Sequence, residues 1–339
     1  MKKLILLLTT ITLLFSGCSS SKKNRYSIAV FVPGIIEDSP CYKMLADGVK
    51  SAVDDYNKNK NDENKAQLYI MEAGNNQSEW AEKITALCAL SKYDLIISSN
   101  PSLPAIIEPL TQQFPKQKFI LLDATWENNE NIYTVCYNQY EQAYLTGYIA
   151  GLMSKSKKIA LIAAQEYPVM NEILFPYYKK GALAADKSCE VSFFVVGNWY
   201  DANKSAVISN TAISDGVDVL LPICGGAAQG VINSAVNNKA YITWFDNNGF
   251  AKAPGTVISS AIMEQEKMSA LLVKKYFEGK IPWGTNDTAG MKDGFVRFIE
   301  DDPLYTSTVP EDIQQKMSEK IKEITKNPLI QTKPFVFTK

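Results

Sequence analysis

From residue 26 onward the chain repeats one unit: a short apolar run rich in β-branched residues, a turn, then a stretch whose apolar positions recur every three or four residues. Such runs at 27–32, 67–71, 95–98, 118–122 and 132–136 predict strands, and the stretches at 41–57, 78–90 and 103–114 predict the helices between them. A long helix over 140–153 opens a second set, with strands at 158–163, 191–196, 219–222 and 240–245 and helices at 168–185, 204–214 and 226–237. The chain closes with a strand at 257–260, a helix at 264–278, a strand-like run at 294–299 and a charged helix at 311–326. Neighbouring parallel strands need a connection of a dozen or more residues, which an amphipathic helix supplies, so this alternation constrains the chain to doubly wound parallel sheets. The order occurs twice although residue identities do not repeat, and 339 residues leave room for two lobes of about 120 to 160 residues each. The expected molecule is an α/β protein of two such lobes, joined by three chain crossings that act as a hinge beside a cleft.

The first residues read as an address. Lys2 and Lys3 precede an apolar stretch over 4–15, the charged start and short hydrophobic region of a secretory signal. It ends in Phe15-Ser16-Gly17-Cys18, followed by a polar run over 19–24, an arrangement that resembles a bacterial lipobox. Residues 1–17 are thus expected to be a lipoprotein signal peptide, Cys18 the lipidated first residue, and 18–25 a tether, with the folded part on the periplasmic side of a bacterial membrane. The remaining cysteines, Cys41, Cys88, Cys136, Cys189 and Cys224, are odd in number, widely spaced and without a CxxC pair, which fits neither a disulfide framework nor a metal site.

Composition removes most catalytic chemistries. There is no histidine, so histidine-dependent triads, histidine-ligated metals and imidazole acid–base catalysis are excluded. Thirty-five Lys and Arg against 36 Asp and Glu leave a formal net charge of -1, which provides no global field for nucleic acid. The pair Asp301-Asp302 adjoins Pro303 in a charged terminal stretch and reads as solvated, and no constellation converges on catalysis. The expectation is a binding protein, not an enzyme, with no resident cofactor and no metal.

In parallel sheets a ligand lies beyond the carboxyl ends of the strands. The segments there are 37–43, 73–77, 99–104, 123–127, 165–170, 197–203, 224–229 and 244–250. They are rich in aromatics, among them Tyr42, Trp126, Phe175, Trp199 and Phe245, and in amides such as Asn100, Asn138 and Gln229. Aromatic faces grip planar ligands, while amides and carboxylates satisfy ring edges and hydroxyls. A flat, neutral, hydroxyl-bearing solute suits such a lining. Asp246, at the end of its strand, is placed to accept hydrogen bonds from ligand hydroxyls; capping a turn is its plainer use. The glycine-rich turn over 224–230 lacks both the GxGxxG spacing and a Gly-Lys-Ser/Thr ending, so it is read as a close-packing turn and not as a phosphate loop.

Tyr140-Glu141-Gln142-Ala143-Tyr144-Leu145-Thr146-Gly147-Tyr148-Ile149-Ala150-Gly151 resembles the crossover helix, E-x-A-[FY]-L-x-G-x-x-A, of the basic membrane protein family, the purine-nucleoside-receptor-type solute-binding lipoproteins of ABC importers. Matching motifs follow in order: Gly181-Ala182, Gly197-Asn198-Trp199-Tyr200-Asp201, Gly216-Val217-Asp218-Val219 and Phe245-Asp246. The resemblance covers roughly residues 26–300. It implies a periplasmic-binding-protein type I fold with a first lobe over 26–138 and 260–285 and a second over 156–256 and 290–339. It also implies an ABC permease with its ATPase as partner, and ligand contacts at Asp38, Tyr42, Asn100, Trp126, Asn138, Gln142, Phe175, Trp199, Gln229, Phe245 and Asp246. The chain departs from the family's D-K-[SG]-[FY]-N-D loop, reading Asp38-Ser39-Pro40-Cys41-Tyr42-Lys43, and carries Met263 where the family has a lysine. Losing that lysine argues against a standard nucleoside site. A larger flat ring with a polyol, as bound by the riboflavin-binding lipoproteins of spirochaetes in this superfamily, fits better. The isoalloxazine would stack on Tyr42 and on Trp199 or Phe175, with ribityl hydroxyls at Asp246 and Gln229. A purine nucleoside is the alternative ligand, and a surface adhesin the alternative function.

Overall fold

The computed structural model describes residues 25–330, 332–333 and 335–337. The expected signal peptide and Cys18 lie outside the described residues. In chain order the first half forms β1 (Ser27–Val32), α1 (Pro40–Asn57), β2 (Gln67–Glu72), α2 (Trp80–Ala89), β3 (Leu95–Ser99), α3 (Leu103–Gln113), β4 (Lys118–Leu122) and β5 (Ile132–Tyr137). Helix α4 (Gln139–Met153) crosses to β6 (Lys158–Ala163), α5 (Phe175–Ala185), β7 (Glu190–Val195), α6 (Ala202–Ser214), β8 (Val219–Ile223), α7 (Ala228–Asn238), β9 (Tyr241–Asp246) and β10 (Val257–Met263). The chain then adds α8 (Gln265–Phe277), β11 (Asn286–Ala289), β12 (Val296–Phe298), α9 (Pro303–Thr308) and α10 (Glu311–Lys326).

Two six-stranded sheets result, ordered β11-β5-β4-β3-β1-β2 and β12-β10-β9-β8-β6-β7. All pairs are parallel except β10 with β12. Position by position the two orders correspond, so β4 is the counterpart of β9 and β5 of β10. Buried strands such as Ser27–Val32, with no exposed residue, read as continuous apolar runs because helices cover both faces. The first sheet carries one core on its α1/α8 face and another on its α2/α3 face, and the second lobe shares one large core.

The lobes differ from the sequence-based boundaries at three places. β10 remains in the second sheet through Met263, pairing with both β9 and β12, whereas residues from 260 onward were expected in the first lobe. β11 pairs with β5, so the first sheet reclaims the chain as far as Ala289, beyond the expected limit at 285. Its residues are polar and form a strand only because an edge of β5 is open to them. Beyond α10, Phe335 is buried against Phe295 in the first-lobe core, although 290–339 was expected to belong entirely to the second lobe.

Helix α4 packs on α5 with no room for side chains at the crossing. A Cβ on Gly147 would lie 1.9 Å from the Tyr178 carbonyl oxygen, and one on Gly181 would lie 2.0 Å from that of Tyr144. Gly147 and Gly151 are thus the contact surface that fixes α4 to the second lobe. Among the described residues no helix is long and apolar enough to cross a membrane.

Candidate interlobe binding site

Proline at the first position of α1 fixes the helix start, because its missing N–H costs nothing there. The first turn therefore presents Cys41 and Tyr42 at the carboxyl end of the first sheet. Gln265, fully buried at the start of α8, holds this turn: its Nε2 donates to the Cys41 carbonyl at 2.6 Å, and its Oε1 accepts from Ser99 Oγ at 3.2 Å. The Tyr42 hydroxyl accepts from Asn100 Nδ2 at 3.2 Å, and its ring lies so close to Gly34 that a Cβ there would come within 2.7 Å.

Two aspartates meet this turn from opposite lobes. Asp123 follows β4 and Asp246 ends β9, the counterpart strands of the two sheets, and both adopt the left-handed backbone region with φ of 51° and 72°. Non-glycine residues seldom occupy that region, and they do so where surroundings over-determine the backbone. Those surroundings include α4. Gln139 Nε2 donates to Asp123 Oδ1 at 3.0 Å, while one turn on, Gln142 Nε2 donates to the Ala261 carbonyl at 2.9 Å and faces Asp246 Oδ1 at 3.5 Å. The crossover helix thus extends one amide to the acid of each lobe. Across the cleft the Cys41 thiol is raised first by burial and then by the charge of Asp246, which sets the two groups beside one another.

Both acids keep part of their surface open yet are enclosed by protein, and this sets their electrostatics. Burial, reinforced by the charge of Asp246, pushes Asp123 up to about 8. Burial pushes Asp246 up to about 6, against the pull of its hydrogen bonds from Cys41 and Gln142. Tyr167, in the segment after β6, is raised by burial and by the charges of Asp123, Asp246 and Cys41, which places its hydroxyl in the same cluster. Burial, then Asp123, pushes Cys136 up to about 12. Carboxylates, thiols and tyrosines are the groups acting on one another here. The arrangement presents hydrogen-bonding groups between aromatic walls, and among the described residues there is no cluster of three or more Cys, Asp or Glu able to hold a metal ion.

Of the predicted contacts, the structure brings Tyr42 together with Asn100, and Gln142 with Asp246. Asn138 is buried at the first crossing, where its N–H donates to the Ala289 carbonyl at 2.9 Å. Trp199 is 43% exposed at the rim, 6.3 Å from the ring of Tyr167. Asp38 is exposed and accepts from Asn75 Nδ2 at 3.0 Å. Trp126 is half-buried, its backbone N–H donating to Thr134 Oγ1. Phe245 turns into the second-lobe core, and Phe175 packs on Phe193 at 4.9 Å. Gln229 points along its own helix to Asn233, in an outer groove of about 430 Å³ beside Lys252 and Thr256. The helical turn over Gly225–Ala227 rotates it away from the strand ends.

Sequence reading named neither Asp123 nor Gln139 as a contact, and treated Cys41 only as a departure. The available signal was an aspartate closing a predicted strand at 123, as at 246.

The sequence matches the family model described as ABC transporter substrate-binding protein PnrA-like over residues 25–328. It is 22% identical to Basic membrane protein A1 of Borrelia garinii subsp. bavariensis, over 95% of each chain. It is 26% identical to the ABC transporter nucleoside-binding protein BmpA of Lactococcus lactis subsp. cremoris, covering 60% of this chain and 63% of that one. In fold it resembles an ABC transporter system solute-binding protein from Aeropyrum pernix K1, with a TM-score of 0.74, 18% identity, and coverage of 89% and 90% of the two chains.

Proposed function

The chain belongs to the PnrA-like family of ABC transporter substrate-binding proteins, and from that premise we propose that it captures a planar, uncharged, hydroxyl-bearing nutrient between its lobes and delivers it to a membrane permease. Riboflavin is the first candidate. Proteins of this family work outside the cytoplasmic membrane, and the reading includes a lipid anchor at Cys18.

The observation that carries the reading is the convergence of Asp123 and Asp246, one from each lobe, with Tyr42 and Tyr167 beside them. Near neutral pH Asp246 is an enclosed acceptor while Asp123 keeps its proton, a pair that favours a ligand bringing hydroxyls and a ring edge able to pair with a carboxyl group, and disfavours a phosphate, whose charge would be buried against the Asp246 carboxylate. The tyrosine rings offer flat apolar surface, and Trp199 extends it to the rim. In this reading the isoalloxazine lies between Tyr42 and the Tyr167–Trp199 pair, with the ribityl chain toward Asp246. A ligand touching both acids holds the lobes closed, because the open form offers it only one of them.

Native mass spectrometry of the protein as isolated, together with riboflavin fluorescence titration, tests the proposal. The expected outcome is a co-purified flavin or stoichiometric quenching. An absence of both sinks riboflavin as the ligand. The second reading, a purine nucleoside, is favoured by the Lactococcus relative named as nucleoside-binding. Calorimetry with inosine, guanosine and adenosine separates the two.

A further inference from the structure

Gln142 is fully buried, and its amide orientation is fixed by its neighbours. Nε2 faces two acceptors, the Ala261 carbonyl and Asp246 Oδ1, so the oxygen cannot occupy that place without repulsion. Oε1 is then left buried with no protein donor, and the Tyr137 hydroxyl, 2% exposed in the residue before the crossing, is likewise unpaired. A buried polar atom without a partner forfeits its hydration at a cost of about 1–3 kcal/mol. Such atoms beside a binding cleft mark a place where a guest completes the hydrogen bonding.

We infer that Gln142 is the specificity-determining residue for the hydroxyl-bearing part of the ligand: its Oε1 and the Asp246 carboxylate form two adjacent acceptors that take neighbouring hydroxyls of a vicinal diol. This deepens the proposed function and rests on it. Gln142 takes the part that the sequence reading gave to Gln229, whose side chain lies in the outer groove. The chemistry is common to a ribityl chain and a ribose, so the residue selects the polyol whichever ring is attached.

The test compares ligands with and without the diol, riboflavin against lumichrome and inosine against hypoxanthine, by calorimetry on the wild type and on Gln142→Met. Methionine keeps the length of the side chain and removes both amide atoms. The wild type should prefer the diol-bearing member of whichever pair it binds. Gln142→Met should weaken that member about tenfold or more while leaving the ring-only compound within about twofold. Equal weakening of both members, or of neither, overturns the inference. Failure of the wild type to bind any of the four overturns the proposed function, and this inference with it. If Gln142→Met does not fold by circular dichroism, Gln142→Leu at the same pH replaces it. It too removes both amide atoms, so the diol preference should be lost, and its persistence would also overturn the inference.

Discussion

At the scale of single residues, Asp123 and Asp246 give the molecule a pH dependence whose sign is fixed by burial. An acid whose value is raised on folding binds its proton more tightly in the folded state, so its contribution to stability is full below the ordinary carboxylate value of about 4 and is lost as pH rises through the folded value. For Asp246 the loss runs to about 6 and for Asp123 to about 8. Glu141, pushed up to about 7 by burial, adds to the same slope. The melting temperature measured by scanning calorimetry should therefore fall from pH 4 to pH 8. Asp123→Asn should flatten the fall between pH 6 and 8 without abolishing it, since Glu141 still titrates there. A wild-type melting temperature that stays level or rises over pH 6–8 would contradict the enclosure of these acids. Asparagine is the appropriate replacement because it tolerates the left-handed backbone held at that position.

At the scale of elements, the α4–α5 crossing is decided by glycines whose role the sequence alone does not distinguish from flexibility. Gly147→Ala drives a methyl group into the Tyr178 carbonyl, a backbone atom that cannot swing aside. The helices must separate, which should cost about 3 kcal/mol, read as a lower urea midpoint at unchanged m-value. Gly226→Ala is the control: its nearest neighbour would be 3.6 Å away, and stability should change by less than about 0.5 kcal/mol. Equal effects at the two sites would refute the packing account. The same contrast explains what the sequence disclosed. Strands β1, β4 and β6 were legible to the residue because their apolar runs are dictated by burial on both faces. The edge strand β11, Asn286-Asp287-Thr288-Ala289, was not, since its strand character comes from its neighbour. Within the site, Asp246 and Gln142 could be named from strand-end position and the helix motif. Asp123 carries the same strand-end signal, but its pairing with Asp246 follows from the sheet orders that make β4 and β9 counterparts, a relation between distant segments that local periodicity does not encode.

At the scale of the whole molecule, lobe motion depends on three crossings that are tied to one another. The first is the start of α4, the second joins β10 to α8, and the third runs from β11 to β12. The Glu264 N–H donates to the Phe295 carbonyl at 3.0 Å, joining the second crossing to the third. Glu141, 1% exposed on α4, joins the first to the third by accepting from the Met291 N–H at 2.9 Å. A Cβ at Gly290 would lie 2.8 Å from the same Glu141 oxygen, so the third crossing reaches the acid closely only because that position has no side chain. Three crossings bound in this way turn as one unit, which confines the lobes to opening and closing about a single axis. Removing the acid while retaining its shape separates its two effects. Glu141→Gln still offers a carbonyl oxygen to Met291 but carries no charge, so at pH 8, above the point near 7 where the buried acid ionises, it should be at least as stable as the wild type. Glu141→Ala leaves the part-buried Met291 N–H without its acceptor and should lose about 1 kcal/mol in urea unfolding at the same pH. With the tie cut, solution scattering of Glu141→Ala without ligand should show a broader distribution of sizes than that of Glu141→Gln. If Gln and Ala lose equal stability, the acid serves the hinge through its charge. If neither loses any, the crossings are held together by packing and the tie is incidental.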